Sequence, residues 1–157
     1  MPEIRSQIPE ICLLSAEGWK DYELLDSGNG AKLERFASYS FIRPEHQAVW
    51  QPALSPARWE AAHAVFQAEG GEETGGRWLV RKSVPDAWDM HFKGLRFSAH
   101  FTNSRHLGVF PEQAAQWDWI AEQIRAARRP VRVLNLFGYT GLASLAAAQA
   151  GAEVTHV

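Results

Sequence analysis

The sequence predicts an α/β fold in which the first strands of a parallel sheet follow a smaller β-rich region. Three observations carry this reading. Residues 131–136 (Val-Arg-Val-Leu-Asn-Leu) have the β-branched, mostly apolar make-up of a strand covered on both faces. A turn with two glycines, Gly138 and Gly141, leads into an alanine-rich helix over residues 142–150, closed by Gly151, and residues 153–157 begin a second strand. Upstream, residues 19–43 and 77–101 alternate apolar and polar side chains between turn formers, the pattern of antiparallel β structure. Strand, turn, helix, strand is the first half of a nucleotide-cofactor fold.

Residues 19–25 alternate in part, and Asp26-Ser27-Gly28-Asn29-Gly30 is dense in turn formers. Residues 32–36 resume the alternation, and residues 40–43 form a third short strand ended by Pro44. Ser55-Pro56 opens a helix, with Ser at the N-cap and Pro at the first helical position, where a missing N–H costs nothing. Ala62, Val65 and Phe66 are expected to supply its apolar face. Residues 69–76 read as a linker or loop tip. Residues 77–82 form a strand, and residues 89–92 and 95–101 form a hairpin turning at Lys93-Gly94. Pro111 starts a helix whose Trp117, Ile120, Ala121 and Ile124 make one apolar stripe. Arg125, Arg128 and Arg129 offset its dipole before Pro130 stops it. The chain divides into an N-terminal β-rich extension with one helix (1–76), a β-hairpin region (77–110) and the first β-α-β part of a cofactor-binding domain (111–157).

A chain of 157 residues with 46% hydrophobic content and seven Trp can fill a core. Its single cysteine, Cys12, excludes an internal disulfide framework and reads as a reduced thiol packed among Ile11, Leu13 and Leu14. No signal peptide and no run of about 20 apolar residues is present, so a cytoplasmic protein is expected. His91, His100 and His106 lack partners at ligand spacing, so no metal is expected. Net charge is −2, split into −6 over residues 1–76 and +4 over residues 77–157. A basic half can mark a nucleic-acid-facing surface or be ordinary scatter.

Chemistry concentrates in the turn. Gly138 and Gly141 let the backbone bend and leave room for a ligand at a helix N-terminus. The three-glycine fingerprint of NAD enzymes is missing, and Tyr139 would crowd a pyrophosphate. A methyl donor without phosphates suits such a turn better; a turn that binds nothing is the remaining alternative.

Leu134-Asn135-Leu136-Phe137-Gly138-Tyr139-Thr140-Gly141 resembles the first motif of class I S-adenosylmethionine-dependent methyltransferases. It is most similar to the branch with the bacterial large-subunit ribosomal RNA methyltransferases. Residues 105–113 (Arg-His-Leu-Gly-Val-Phe-Pro-Glu-Gln) resemble the Gly-x-Phe-x-(Asp/Glu)-Gln segment that precedes the first strand in that branch. The resemblance implies the start of a Rossmann-like class I methyltransferase sheet behind a small β-rich (α+β) N-terminal region. It implies S-adenosyl-L-methionine as cofactor and RNA, ribosomal RNA foremost, as substrate. By the same resemblance Asn135 lies near the methionine amine. Phe137, Gly138, Tyr139, Thr140 and Gly141 surround the methionine and ribose, and Phe110, Glu112 and Gln113 wall the pocket.

The acidic residue expected about 20 positions beyond the glycines falls near position 158, and the family's later Asp/Asn-Pro-Pro motif does not occur. No catalytic residue is therefore assigned. The expectation is an N-terminal fragment of a protein about twice this length, inactive alone, whose motif strand exposes an apolar edge. Two other functions fit less of the sequence: a non-catalytic RNA-binding module with a vestigial α/β unit, and an NAD-type oxidoreductase.

Overall fold

The computed structural model describes residues 18–69 and 75–157. Cys12 and its neighbours lie outside the described residues. The first sheet has five strands in the order β1-β2-β3-β4-β5: β1 (Tyr22–Gly28), β2 (Ala31–Phe36), β3 (Tyr39–Pro44), β4 (Ala64–Ala68) and β5 (Gly76–Val80). All neighbours are antiparallel except β3 and β4, which pair in parallel through Phe41↔Ala64 and Ile42↔Val65. The β1–β2 turn uses Asn29 (φ 51°) and Gly30 (φ 75°), residue types that accept left-handed backbone.

The parallel pairing needs a crossover, supplied by residues 45–63 with one short helix, α1 (Pro56–Glu60). Pro56 stands at the start of α1 as its fixed φ favours, while Ser55 makes no side-chain cap and takes the Arg58 N–H on its carbonyl. A bulge between Leu24 and Asp26 redirects Asp26 toward this crossover. Its carboxylate accepts the N–H groups of Ser27, Ala53 and Leu54 and the Trp59 indole, at 2.8–3.2 Å.

The expected long helical face of Ala62, Val65 and Phe66 does not form. Val65 and Phe66 belong to β4, with Phe66 buried against Trp78 at a ring separation of 5.3 Å. Five helical residues carry little cooperativity, whereas residues 64–68 gain ladder bonds to β5 and a two-residue pairing to β3. β4 and β5 pair antiparallel, and the Glu69 N–H bonds to the Gly75 carbonyl at 3.0 Å; the rest of the predicted linker, residues 70–74, lies outside the described residues.

The second sheet is the hairpin β6 (Ala87–Phe92) and β7 (Leu95–His100), turning at Lys93 (φ 43°) and Gly94 (φ 88°) as the sequence predicts. A 3-10 turn (Pro111–Gln113) leads into α2 (Ala114–Ala126), which buries Trp117 and Ile124. Two parallel strands, β8 (Arg132–Asn135) and β9 (Glu153–His156), flank α3 (Leu142–Gln149). Gly151 (φ 102°) closes α3: its N–H and that of Ala152 bond the Ala148 and Ala147 carbonyls.

One aromatic core joins these parts. Phe41 is fully buried, stacks on Trp88 at 5.2 Å, and meets Phe36, Trp78 and Phe101 edge-on. Trp19 extends the cluster through Phe92 to Trp117 of α2. The expectation that residues 131–136 are covered on both faces is not met: Leu134 and Leu136 are 60% and 56% exposed. Among the described residues β8 pairs with β9 alone.

The anchoring of Asp26 predicts a pH effect. Burial raises its carboxyl pKa, but hydrogen bonds from Leu54, Trp59, Ala53 and Ser27 outweigh it and hold the group below its usual 3.8. A depressed folded pKa gives stability that is full above the unfolded pKa and is lost as pH falls through the folded one. Asp26→Asn should lower the melting temperature at neutral pH, and its deficit relative to wild type should shrink below about pH 4. A deficit independent of pH in thermal unfolding would count against this anchor.

Candidate functional site

The turn between β8 and α3 is built from strained backbone. Phe137 (φ 57°) and Tyr139 (φ 52°) are left-handed without being glycine, and Gly141 is left-handed at φ 88°. Each such non-glycine residue costs roughly 1–3 kcal/mol and persists only where its surroundings over-determine it. Gly138 donates its N–H to the Val157 carbonyl at 3.0 Å, and Gly141 donates to Gly138 at 2.8 Å. A Cβ at Gly138 would overlap the His156 imidazole. The approach of the His156 ring thus favours glycine at 138, and left-handed geometry favours it at 141.

Beneath the turn runs a side-chain chain. Asn135 Nδ2 donates to Ser144 Oγ at 2.8 Å, and Ser144 Oγ lies 2.9 Å from His156 Nδ1. It ties β8, the first turn of α3 and β9 together under the loop. His156 and Ser144 are absent from the site predicted by sequence. A histidine at the end of the second parallel strand, across from Gly138, was the available signal.

Residues 101–110 supply the other wall. They have no regular structure, yet five consecutive carbonyls are each taken by a donor. Ser104 accepts the Trp78 indole (3.1 Å), Arg105 the Arg43 guanidinium (3.2 Å) and His106 the Thr102 hydroxyl (2.6 Å). Leu107 accepts the His100 N–H (3.1 Å), and Gly108 accepts the Thr140 hydroxyl of the turn (2.7 Å). Gly108 is left-handed (φ 82°), and a Cβ there would press on the His100 ring at 3.0 Å. The Phe110 and Tyr139 rings meet at 4.8 Å. Burial pushes the Tyr139 phenol up, against a backbone hydrogen bond from Gly108 and the charge of Arg43. His106 packs on Phe110 at 4.6 Å and is held below its ordinary pKa by burial and by Arg43 and Arg105, which keeps it neutral near pH 7.

The structure therefore brings Phe110, Tyr139 and Thr140 together through Gly108, with Asn135, Gly138 and Gly141 forming the floor. It does not bring in the rest. Phe137 is 95% exposed. Glu112 and Gln113 lie exposed on the 3-10 turn, and Glu112 faces a separate cleft of about 640 Å³ with Trp19, Tyr22, Lys32 and Trp50. Among the described residues no group of three or more His, Cys, Asp or Glu is placed to hold a metal, and no helix is long and apolar enough to cross a membrane.

The sequence matches the family model of S-adenosylmethionine-dependent methyltransferases over residues 39–157, which include the whole loop, its floor and its opposite wall. The chain belongs to this methyltransferase family. This chain also resembles the crystal structure of a SAM-dependent methyltransferase from Agrobacterium tumefaciens. That likeness has a TM-score of 0.84 and 46% identity over 95% of this chain. This chain spans 46% of the length of that relative. A SAM-dependent methyltransferase structure from Streptococcus mutans shares the fold at TM-score 0.61 and 17% identity, over 87% of this chain and 38% of its own. No curated protein matches this chain.

The family implies S-adenosylmethionine as cofactor, and the residues present fit it. A turn whose glycine leaves no space for a Cβ, opening at a helix N-terminus and walled by Phe110 and Tyr139, suits a ligand with a carboxylate at one end and an aromatic base at the other. Gly138→Ala should lower stability by about 1–3 kcal/mol through overpacking and weaken S-adenosylhomocysteine binding. His156→Ala in the same chain should recover part of both. Calorimetric titration checks this, and the account of Gly138 fails if the second substitution brings no recovery.

Proposed function

We propose that this chain forms the methionine-side wall of the methyl-donor site in an S-adenosylmethionine-dependent RNA methyltransferase. Asn135, Gly138, Tyr139, Thr140 and Gly141 hold the cofactor from one side. Phe110 closes it from the other. The single observation that carries this is the junction of the two motifs: Thr140 bonded to Gly108 at 2.7 Å and Tyr139 packed on Phe110.

When bound, S-adenosylmethionine supplies an electrophilic methyl group on a sulfonium. The chain's residues contribute orientation and exclusion of water. The strained turn presents backbone N–H groups at the start of α3, where the helix dipole favours a carboxylate. The half-exposed Tyr139 and half-buried Phe110 give a π-surface on which a cation is favoured over water.

RNA, ribosomal RNA foremost, is the substrate we favour. The support is electrostatic: Arg125, Arg128, Arg129 and Arg132 are all exposed around the end of α2 and the start of β8, in the half of the chain with net +4. Neutralising backbone phosphates with such residues releases counterions and makes binding steeply salt-dependent.

Two measurements test this reading. In a thermal-shift assay on the intact protein, S-adenosylhomocysteine should raise the melting temperature and NAD should not; the reverse would overturn the cofactor assignment. Replacing the four arginines by Gln should weaken RNA binding at least about tenfold and flatten its log–log salt dependence. An unchanged slope would remove this surface as the RNA contact.

A further inference from the structure

Glu34 and Arg43 are buried to 0% and 2% exposure, on neighbouring strands of the first sheet, outside the motifs of the methyl-donor site. Arg43 Nε and Nη2 donate to the two Glu34 oxygens at 2.7 and 2.8 Å, and Tyr22 donates its hydroxyl to Glu34 at 2.8 Å. Burying two charges carries a desolvation cost that an apolar pair of similar volume avoids, so stability alone does not account for this pair. Its remaining donor does. Arg43 Nη1 reaches the Arg105 carbonyl at 3.2 Å, and Arg105 Nη1 returns to the Pro44 carbonyl at 3.1 Å.

We infer that Glu34 and Arg43 are positioning residues of the methyl-donor site: they fix the 105–110 segment where Gly108 and Phe110 meet the turn at Tyr139 and Thr140. The inference rests on the proposed reading of that turn as the cofactor wall. A guanidinium locked in a bidentate grip is a donor of fixed position and direction. Three residues beyond the carbonyl it holds, the Gly108 carbonyl takes the Thr140 hydroxyl, and two further on Phe110 meets Tyr139. The charge of Arg43 also acts on Tyr139 and His106, in each case to lower the pKa. Other fastenings, from Trp78, Thr102 and His100, hold the neighbouring carbonyls. Arg43 is the link whose own support lies in the centre of the first sheet.

The test uses the intact protein and S-adenosylhomocysteine, with affinity read by calorimetric titration and folding by thermal unfolding. Glu34→Leu combined with Arg43→Met removes both charges and keeps an apolar filling. The expected result is a melting temperature equal to or above wild type with affinity reduced about tenfold or more. Arg105→Met severs the returning bond without disturbing the buried pair and should reduce affinity in the same direction, which keeps the test decisive if the double variant does not fold. In a Thr140→Val background, either change should cost much less than in wild type, because both act through the Gly108 contact. Wild-type affinity in a folded Glu34→Leu/Arg43→Met or Arg105→Met protein, or full additivity with Thr140→Val, would overturn the inference and leave the cofactor reading intact. Failure of wild type itself to bind would instead sink that reading.

Discussion

The row of accepted carbonyls from Ser104 to Gly108 is the constraint on which the site depends. An irregular segment must place its backbone polar groups somewhere, and here each acceptor is met by a different part of the molecule: β5, β3, the segment itself, β7, and finally the turn before α3. The segment is thereby as well defined as a strand without belonging to a sheet. Its last carbonyl shapes the turn. Phe137 and Tyr139 can hold left-handed backbone because Thr140 is tied to Gly108, Gly138 to Val157, and the Tyr139 ring to Phe110.

The aromatic core makes this possible at a distance. Large rings reach across the gap between the five-stranded sheet and the hairpin; the Trp19, Trp88 and Trp117 indole N–H groups are buried there without a hydrogen-bond partner. Trp78 both packs and anchors: its ring packs on Phe41, Phe66 and Phe101 while its indole holds the Ser104 carbonyl. In the crossover the Trp59 and Trp50 indoles act as anchors, bonding Asp26 and the Ser27 carbonyl. Packing and polar anchoring therefore share residues, so the first sheet takes part in the shape of the site rather than standing beside it.

Much of this was legible in the sequence because it is locally encoded. Lys93-Gly94 specifies a two-residue hairpin turn, Pro111 a helix entry and Gly151 a helix exit, each from the backbone preference of one or two residues; of the turn formers at residues 26–30 only Asn29 and Gly30 make the turn, and residues 26–28 belong to β1. The glycine-turn motif and the segment at 105–113 gave the methyl-donor family before any contact was known. What was not legible is non-local. Val65 and Phe66 read as a helix face, and pairing with β3 and β5 made them a strand. Glu34 sits between Leu33 and Arg35 like any outward charge of an alternating strand, yet it is buried, where it meets Arg43 and Tyr22 from the neighbouring strands. His156 carried no motif, and its place over Gly138 follows from the register of β8 with β9.

The claim that the 105–110 segment and the turn at 137–141 form one ligand-holding unit is tested most directly by amide hydrogen exchange on the intact protein, with and without S-adenosylhomocysteine. The account predicts that amides on both segments, Gly108 and Phe110 on one and Gly138 to Gly141 on the other, gain protection together and in similar proportion. Protection confined to the turn, with exchange at 105–110 unchanged by ligand, would contradict it.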